Sequence, residues 1–203
     1  MNTTLPTMFE SNSYPPTRKR ILEAGLKVFA TYGYHKASFT EITREAGVAR
    51  GLVHYYFRNK EELLEVILDE ALRVLKELRQ DLQRHRLPQR KLERLIQQSI
   101  QLLRAEPDFY LLIFRLLLQE NLPHSILKKL RRTYNQSVRL AAEILNENGI
   151  ADATANARLL IAELDGIFIH HHFLRKQFPL RKIARILLNR YLQLAQNSDG
   201  ADM

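Results

Sequence analysis

The sequence predicts an all-α fold, and three observations carry that prediction. Leu, Arg, Glu, Gln, Ala and Lys, all strong helix formers, are frequent, while the 203 residues include only seven Gly and seven Pro. Apolar residues recur at spacings of three and four along most of the chain, which sets them on one face of a helix. No segment keeps the alternation of a strand. With 45% hydrophobic residues the chain can bury a real core.

The first helix is expected over Thr17 to Gly33, with Ile21, Ala24, Val28, Phe29 and Tyr32 on one face. Arg18, Lys19 and Arg20 crowd its first turn, where positive charge opposes the helix dipole. Two readings stand: a solvated basic start, or a site for an external anion. Gly33 suits a helix stop. Ser38 and Glu41 form a capping box that opens a second helix, whose stripe is Phe39, Ile42 and Ala46. Gly47 interrupts, and a short third helix runs from Arg50 to Phe57. A long fourth helix is expected to follow Asn59 as far as Arg84 and to join two domains. Pro88, Pro107, Pro123, Gly149 and Pro179 punctuate the remainder, giving helices near 89–105, 107–119, 124–148, 153–176 and 180–196.

Composition narrows the function. The chain has no cysteine, which excludes disulfides and thiolate metal sites and fits a reducing cytoplasm. No stretch approaches 18 consecutive apolar residues, so no membrane span and no membrane partner are expected. Met1 to Tyr14 is polar, lacks the pattern of a signal peptide, and reads as a loose arm. The net charge of +9 favours an anionic partner such as nucleic acid. Residues 1–60 hold nine Lys and Arg against four Glu, a balance of +5, and the other 143 residues share +4. Glycine loops for phosphate, nucleophile elbows and zinc-protease motifs are absent, so no enzyme is expected.

Two short helices around a glycine turn make a helix-turn-helix. Val53 and Phe57 point inward; Arg50, His54 and Tyr55 face out, flanked by Leu52 and Tyr56. Such a face fits a major groove about 12 Å wide. Arg50 suits a guanine edge, His54 a base or phosphate, Leu52 a thymine methyl, and Lys60 the phosphate backbone.

Residues 17 to 64 resemble the DNA-binding domain of the tetracycline-repressor (TetR) family. The resemblance is carried by Ile21, Ala24, Phe29, Gly33, Tyr34, Thr40, Ile42, Ala46-Gly47-Val48, Gly51, Tyr55, Phe57, Lys60, Glu61 and Leu63-Leu64. It implies that Thr40, Tyr55 and Lys60 contact phosphate, that Gly51 lies at the interface, and that Arg50 and His54 read bases. Three residues depart from the family pattern: Ala49 stands where a capping Ser or Thr is usual, Leu52 where a small or polar residue is, and His54 where tyrosine often is. The uncapped start is expected to cost about 1 kcal/mol.

The resemblance further implies a homodimer and a small-molecule effector held among the C-terminal helices. Phe109 to Leu118 is apolar on all sides and should be central; Arg115 and Gln119 are its polar members, suited to orienting a ligand. Tyr110, Phe114 and Tyr134 are candidate pocket walls for an apolar effector. The last two helices, with Ala162 and Gly166 four apart, suit a four-helix dimer contact. His170, His171 and His172 fan out by about 100° each on a helix, so no metal site and no cofactor are expected.

The expected layout is a flexible arm at 1–14, a three-helix helix-turn-helix domain at 15–62, a larger helical effector-binding and dimerisation bundle at 63–198, and a tail at 199–203. The expected function is a DNA-binding transcriptional repressor released from a palindromic operator on double-stranded DNA. A helical protein-interaction module without DNA binding is the alternative.

Overall fold

Nine α-helices form among the residues that the computed structural model describes, which are Met8, Phe9 and 14–199. They are α1 (Pro16–Lys36), α2 (Phe39–Ala46), α3 (Arg50–Tyr56), α4 (Lys60–Gln83), α5 (Pro88–Ala105), α6 (Pro107–Leu117), α7 (His124–Glu147), α8 (Ala153–Leu174) and α9 (Leu180–Asp199). A short 3-10 turn, Arg175–Gln177, separates α8 from α9. Prolines open α1, α5 and α6, where a missing N–H costs nothing and the fixed φ favours helix. No described helix is long and apolar enough to cross a membrane. Residues 200–203 of the expected tail lie outside the described residues, as do 1–7 and 10–13 of the expected arm.

Packing divides the chain into two units. Among the described residues, the first joins Met8, Phe9 and Tyr14–Val74 with Glu106–Thr133; the second joins Leu75–Ala105 with Tyr134–Asp199. Two of the three boundaries fall inside long helices, α4 and α7, and the third falls between α5 and α6. In the first unit α1 packs on α2 and α6, around a core of Ile21, Leu22, Phe29, Ile42, Val53 and Phe57. Leu63, Leu64 and Ile67 of α4 complete it. In the second unit α5 packs on α8 and α9 around Leu92, Ile96, Leu103, Leu160, Phe168 and Tyr191.

The described part of the N-terminal arm is packed, contrary to the loose arm expected. Met8 and Phe9 are buried. The Met8 N–H donates to Glu106 Oε1 (2.9 Å), and the Tyr14 hydroxyl donates to Glu70 Oε1 (2.7 Å). Glu70 is itself buried and also accepts from Arg73 Nε at 2.8 Å. A carboxylate out of water needs such donors, and the arm supplies two of them, the Tyr14 hydroxyl and the Phe9 N–H. Burial, then the Glu70 carboxylate, pushes the Tyr14 hydroxyl up to about 12, so it stays a donor.

Candidate nucleic-acid interface

The turn between α2 and α3 is built by local chemistry. The Ser38 side chain accepts from the Glu41 N–H while Glu41 Oε2 accepts from the Ser38 N–H (2.9 Å), closing the expected capping box. At the other end of α2, Gly47 adopts φ 60°, ψ 41°, and its N–H and that of Val48 close onto Arg44 and Thr43 carbonyls. A side chain there would be strained, and its Cβ would sit 3.1 Å from Arg20 Nη2.

Arg20 resolves the charge conflict seen at the start of α1. Its Nη2 donates to the carbonyls of Ala46 (2.6 Å) and Gly47 (2.9 Å), the negative end of α2. The Arg18 guanidinium lies 4.9 Å from the Tyr14 ring centroid and 5.5 Å from that of Phe57. Lys19 faces Glu23 at 3.9 Å. The basic cluster is therefore used inside the protein, and no external anion is required to explain it.

With Val53 and Phe57 fully buried, the rest of α3 turns outward. Arg50, Gly51, Leu52, His54 and Tyr55 are exposed, Tyr55 by 79%, and Thr40 on α2 is exposed too. A Cβ at Gly51 would meet nothing within 4 Å, so its backbone is open to close approach. The His54 ring stands edge-on to Phe39 (5.1 Å between centroids), which limits its rotation. Ala49 makes no side-chain cap. The Leu52 N–H instead closes on the Ala49 carbonyl at 2.9 Å.

Lys60 is placed differently from the phosphate contact expected of it. Its ammonium donates to the carbonyls of Tyr34 (2.8 Å), His35 (3.0 Å) and Ala37 (3.2 Å) and lies 4.7 Å from the Tyr34 ring centroid. The end of α1 leaves carbonyls without intrahelical partners, and a cation satisfies them better than water does. Gly33 (φ 75°, ψ 170°) breaks α1 just before this point.

Gln119 also departs from its expected ligand-orienting role. Its Oε1 accepts from the Tyr34 N–H at 2.9 Å, and the His35 ring bonds the Glu120 carbonyl at 2.9 Å. Gln119 has no sequence motif that would reveal this, since its partner lies 85 residues away. Arg115 is exposed. Tyr110 and Phe114, one turn apart on α6, are half-buried, and Tyr134 is exposed. The histidine run meets aromatic rings: His170 and His171 lie 6.3 Å and 6.0 Å from Phe178, and His172 lies 5.7 Å from Phe168.

With this geometry in view, residues 21–67 match the family described as bacterial regulatory proteins, tetR family. Over these residues the chain carries a TetR-type helix-turn-helix domain. The chain is similar to the fatty acid metabolism regulator protein of Bacillus subtilis (strain 168), at 27% identity over 132 residues. That match spans 64% of this chain and 65% of the relative. The regulator SrpR of Pseudomonas putida is 44% identical over 52 residues, 26% of this chain and 24% of its own. The chain thus matches under two thirds of the length of either relative. In fold it is similar to the transcriptional regulator FadR from Bacillus subtilis in complex with stearoyl-CoA. The TM-score is 0.71 at 21% identity, covering 85% of this chain and 96% of that one.

Proposed function

We infer that this chain is a sequence-specific transcriptional regulator of the TetR family, most simply a homodimeric, cytoplasmic repressor released from a palindromic operator by a small apolar effector. The observation that carries the reading is the outward face of α3. Arg50, Leu52, His54 and Tyr55 stand exposed on a helix whose opposite side, Val53, is fully buried. A helix that rigidly presents arginine, imidazole, apolar and phenolic groups matches the mixed edges of a major groove. Thr40 and Tyr55 are assigned to phosphate. Lys36 and Arg44, exposed near the ends of α1 and α2, supply cations in place of Lys60.

The dimer reading rests on a stripe in the second unit. Leu159, Ile169 and Phe173 are exposed on α8 at helical spacing, Phe173 by 80%, and Ile186 and Leu194 are exposed on α9. A Cβ at Gly166, within the α8 stripe, would meet nothing within 4 Å, so a second helix can approach closely there. Residues 15–62 then read DNA, and residues 63–198 sense and dimerise.

For the effector, the relatives suggest a fatty-acyl compound, because one of them is named a fatty acid metabolism regulator and another is a complex with stearoyl-CoA. Tyr110 and Phe114, one turn apart on α6, are its candidate walls. Gln119 offers a route to the reader, since α6 packs on α1 and Gln119 holds the Tyr34 N–H. An effector acts only by preferring one state of this contact, and operator DNA must weaken effector binding by the factor with which effector weakens DNA binding.

The test is recovery of bound genomic DNA, followed by titration on the recovered site at several salt concentrations. A pseudo-palindrome with half-sites about 34 Å apart, bound by dimers with affinity falling steeply in salt, is expected. Salt-insensitive binding, or no preferred site, would overturn the reading.

A further inference from the structure

The second unit holds a groove that none of the roles above uses. Between Asp165 and Asp199 the chain has no acidic residue but six Lys and Arg. Five of them, Arg175, Lys176, Arg181, Lys182 and Arg185, join Arg104 of α5 around one cavity of about 730 Å3. Among the described residues none of these six cations is paired with a carboxylate. Arg181 and Lys182 sit in the first turn of α9, where the helix dipole adds to their field rather than offsetting it. So many uncompensated cations around one opening repel each other and concentrate anions.

The floor of the groove is apolar: Ile100 and Leu180 are buried and Phe178 is half-buried. It continues into a second cavity of about 300 Å3 between α5 and α9, lined by Ile96, Ile100, Ala184 and Leu188. The two cavities share Ile100, Ala184 and Arg185. Two independent features mark the site. His171, in its lining, has a buried Nδ1 with no hydrogen-bond partner, which is uncommon for a buried polar atom. Arg175, also in its lining, adopts φ 49°, ψ −119°, a conformation that a residue with a side chain holds only under constraint.

We propose that this groove binds an anionic amphiphile, with clustered phosphates held at the cationic mouth and an apolar tail lying along the slot between α5 and α9. Guanidinium groups pair with phosphate in bidentate fashion. The volume suits one soluble small molecule, because ligand pockets span about 300–1,000 Å3. A soluble acyl thioester of a phosphorylated carrier has this chemistry; an acidic phospholipid shares it. Tyr110, Phe114 and Tyr134 line neither cavity, so this is a second site. The proposal goes beyond the effector reading and rests on it only for the link to DNA.

Calorimetry on the full chain with submicellar stearoyl-CoA, free coenzyme A, stearate and phosphatidylglycerol vesicles tests it. Stearoyl-CoA should bind at least tenfold tighter than stearate or coenzyme A, with affinity falling as salt rises. The double variant Arg181→Glu with Lys182→Glu should lose at least tenfold. The neutral pair Arg181→Gln with Lys182→Gln should lose less, with wild-type helicity and operator affinity in the absence of ligand. Stearate binding as tightly as stearoyl-CoA, wild-type affinity in the charge-reversed variant, or tighter binding to vesicles than to the soluble thioester would overturn it. So would loss of operator affinity in the glutamine pair, which would assign the cations to DNA. Binding that meets these criteria yet leaves operator affinity unchanged would support the site and refute its link to DNA.

Discussion

Replacing Lys60 by Met separates two roles that a lysine at this position can have. The substitution keeps the length and apolar character of the stem and removes the ammonium. Three carbonyls, of Tyr34, His35 and Ala37, then lose their shared donor. Hydrogen bonds to a charged group contribute about 1.5–3 kcal/mol each, but the three share one half-buried ammonium, and water replaces the exposed bond to His35. The net loss should be about 2 kcal/mol, mostly from the part-buried bonds to Tyr34 and Ala37. In a chain of this size that lowers Tm by about 4–8 °C. Thermal melting followed by circular dichroism measures it, and DNA titration over a range of salt measures the other role. An internal ammonium leaves the salt slope unchanged, whereas a lost phosphate contact lowers it by ~0.9. A Lys60→Met variant with wild-type Tm and a reduced slope would refute the internal role.

Further outcomes follow from the same geometry. Gly47→Ala should cost about 1–2 kcal/mol, because a side chain at φ 60° is strained and its Cβ would crowd Arg20 at 3.1 Å; an unchanged melting curve would contradict this. Ala49→Ser should raise Tm, since Ala49 already has extended cap geometry (φ −66°, ψ 142°) and a cap contributes about 1 kcal/mol; a lower Tm would mean that the hydroxyl cannot reach the helix start. Burial pushes the Asp165 carboxyl from its ordinary 3.8 up to about 6, so the folded chain holds this proton more firmly than the unfolded chain. Its contribution to stability is therefore present below about pH 4 and lost as pH rises through about 6. Asp165→Asn should raise Tm at pH 7.5 and do nothing at pH 4; an equal gain at both would refute the burial argument.

Local chemistry was legible in the sequence, and long-range pairing was not. The capping box of Ser38 and Glu41, the stops at Gly33 and Gly47 and the starts at Pro88 and Pro107 each act within a few residues. The expected helices accordingly match the observed ones to within about three residues at each end. The inward set of Val53 and Phe57 follows from a spacing of four, and with it the outward set of α3. Lys60, Arg20 and Gln119 read differently because a cation or an amide carries no mark of its partner. Their carbonyl and N–H partners lie 23 to 85 residues away. The arm was misread for the same reason: nothing near Met8 and Phe9 announces the carboxylates of Glu106 and Glu70. The cationic groove is a contrasting case. Its lysines and arginines are spread over two helices and a turn, and only the packing of α5 against α9 shows that they share one mouth.

The central claim is that α3 reads bases, and a binding-site selection with the wild type and Arg50→Ala tests it most directly. Arg50 is exposed at the start of α3 with its side chain free to reach a guanine edge. The wild type should select a pseudo-palindrome with a fixed base pair opposite Arg50 in each half-site. Arg50→Ala should relax the preference at that position alone, by about 1–3 kcal/mol, and keep the rest of the site. A variant that binds more weakly everywhere while selecting the same sequence would make Arg50 a backbone contact and contradict the account.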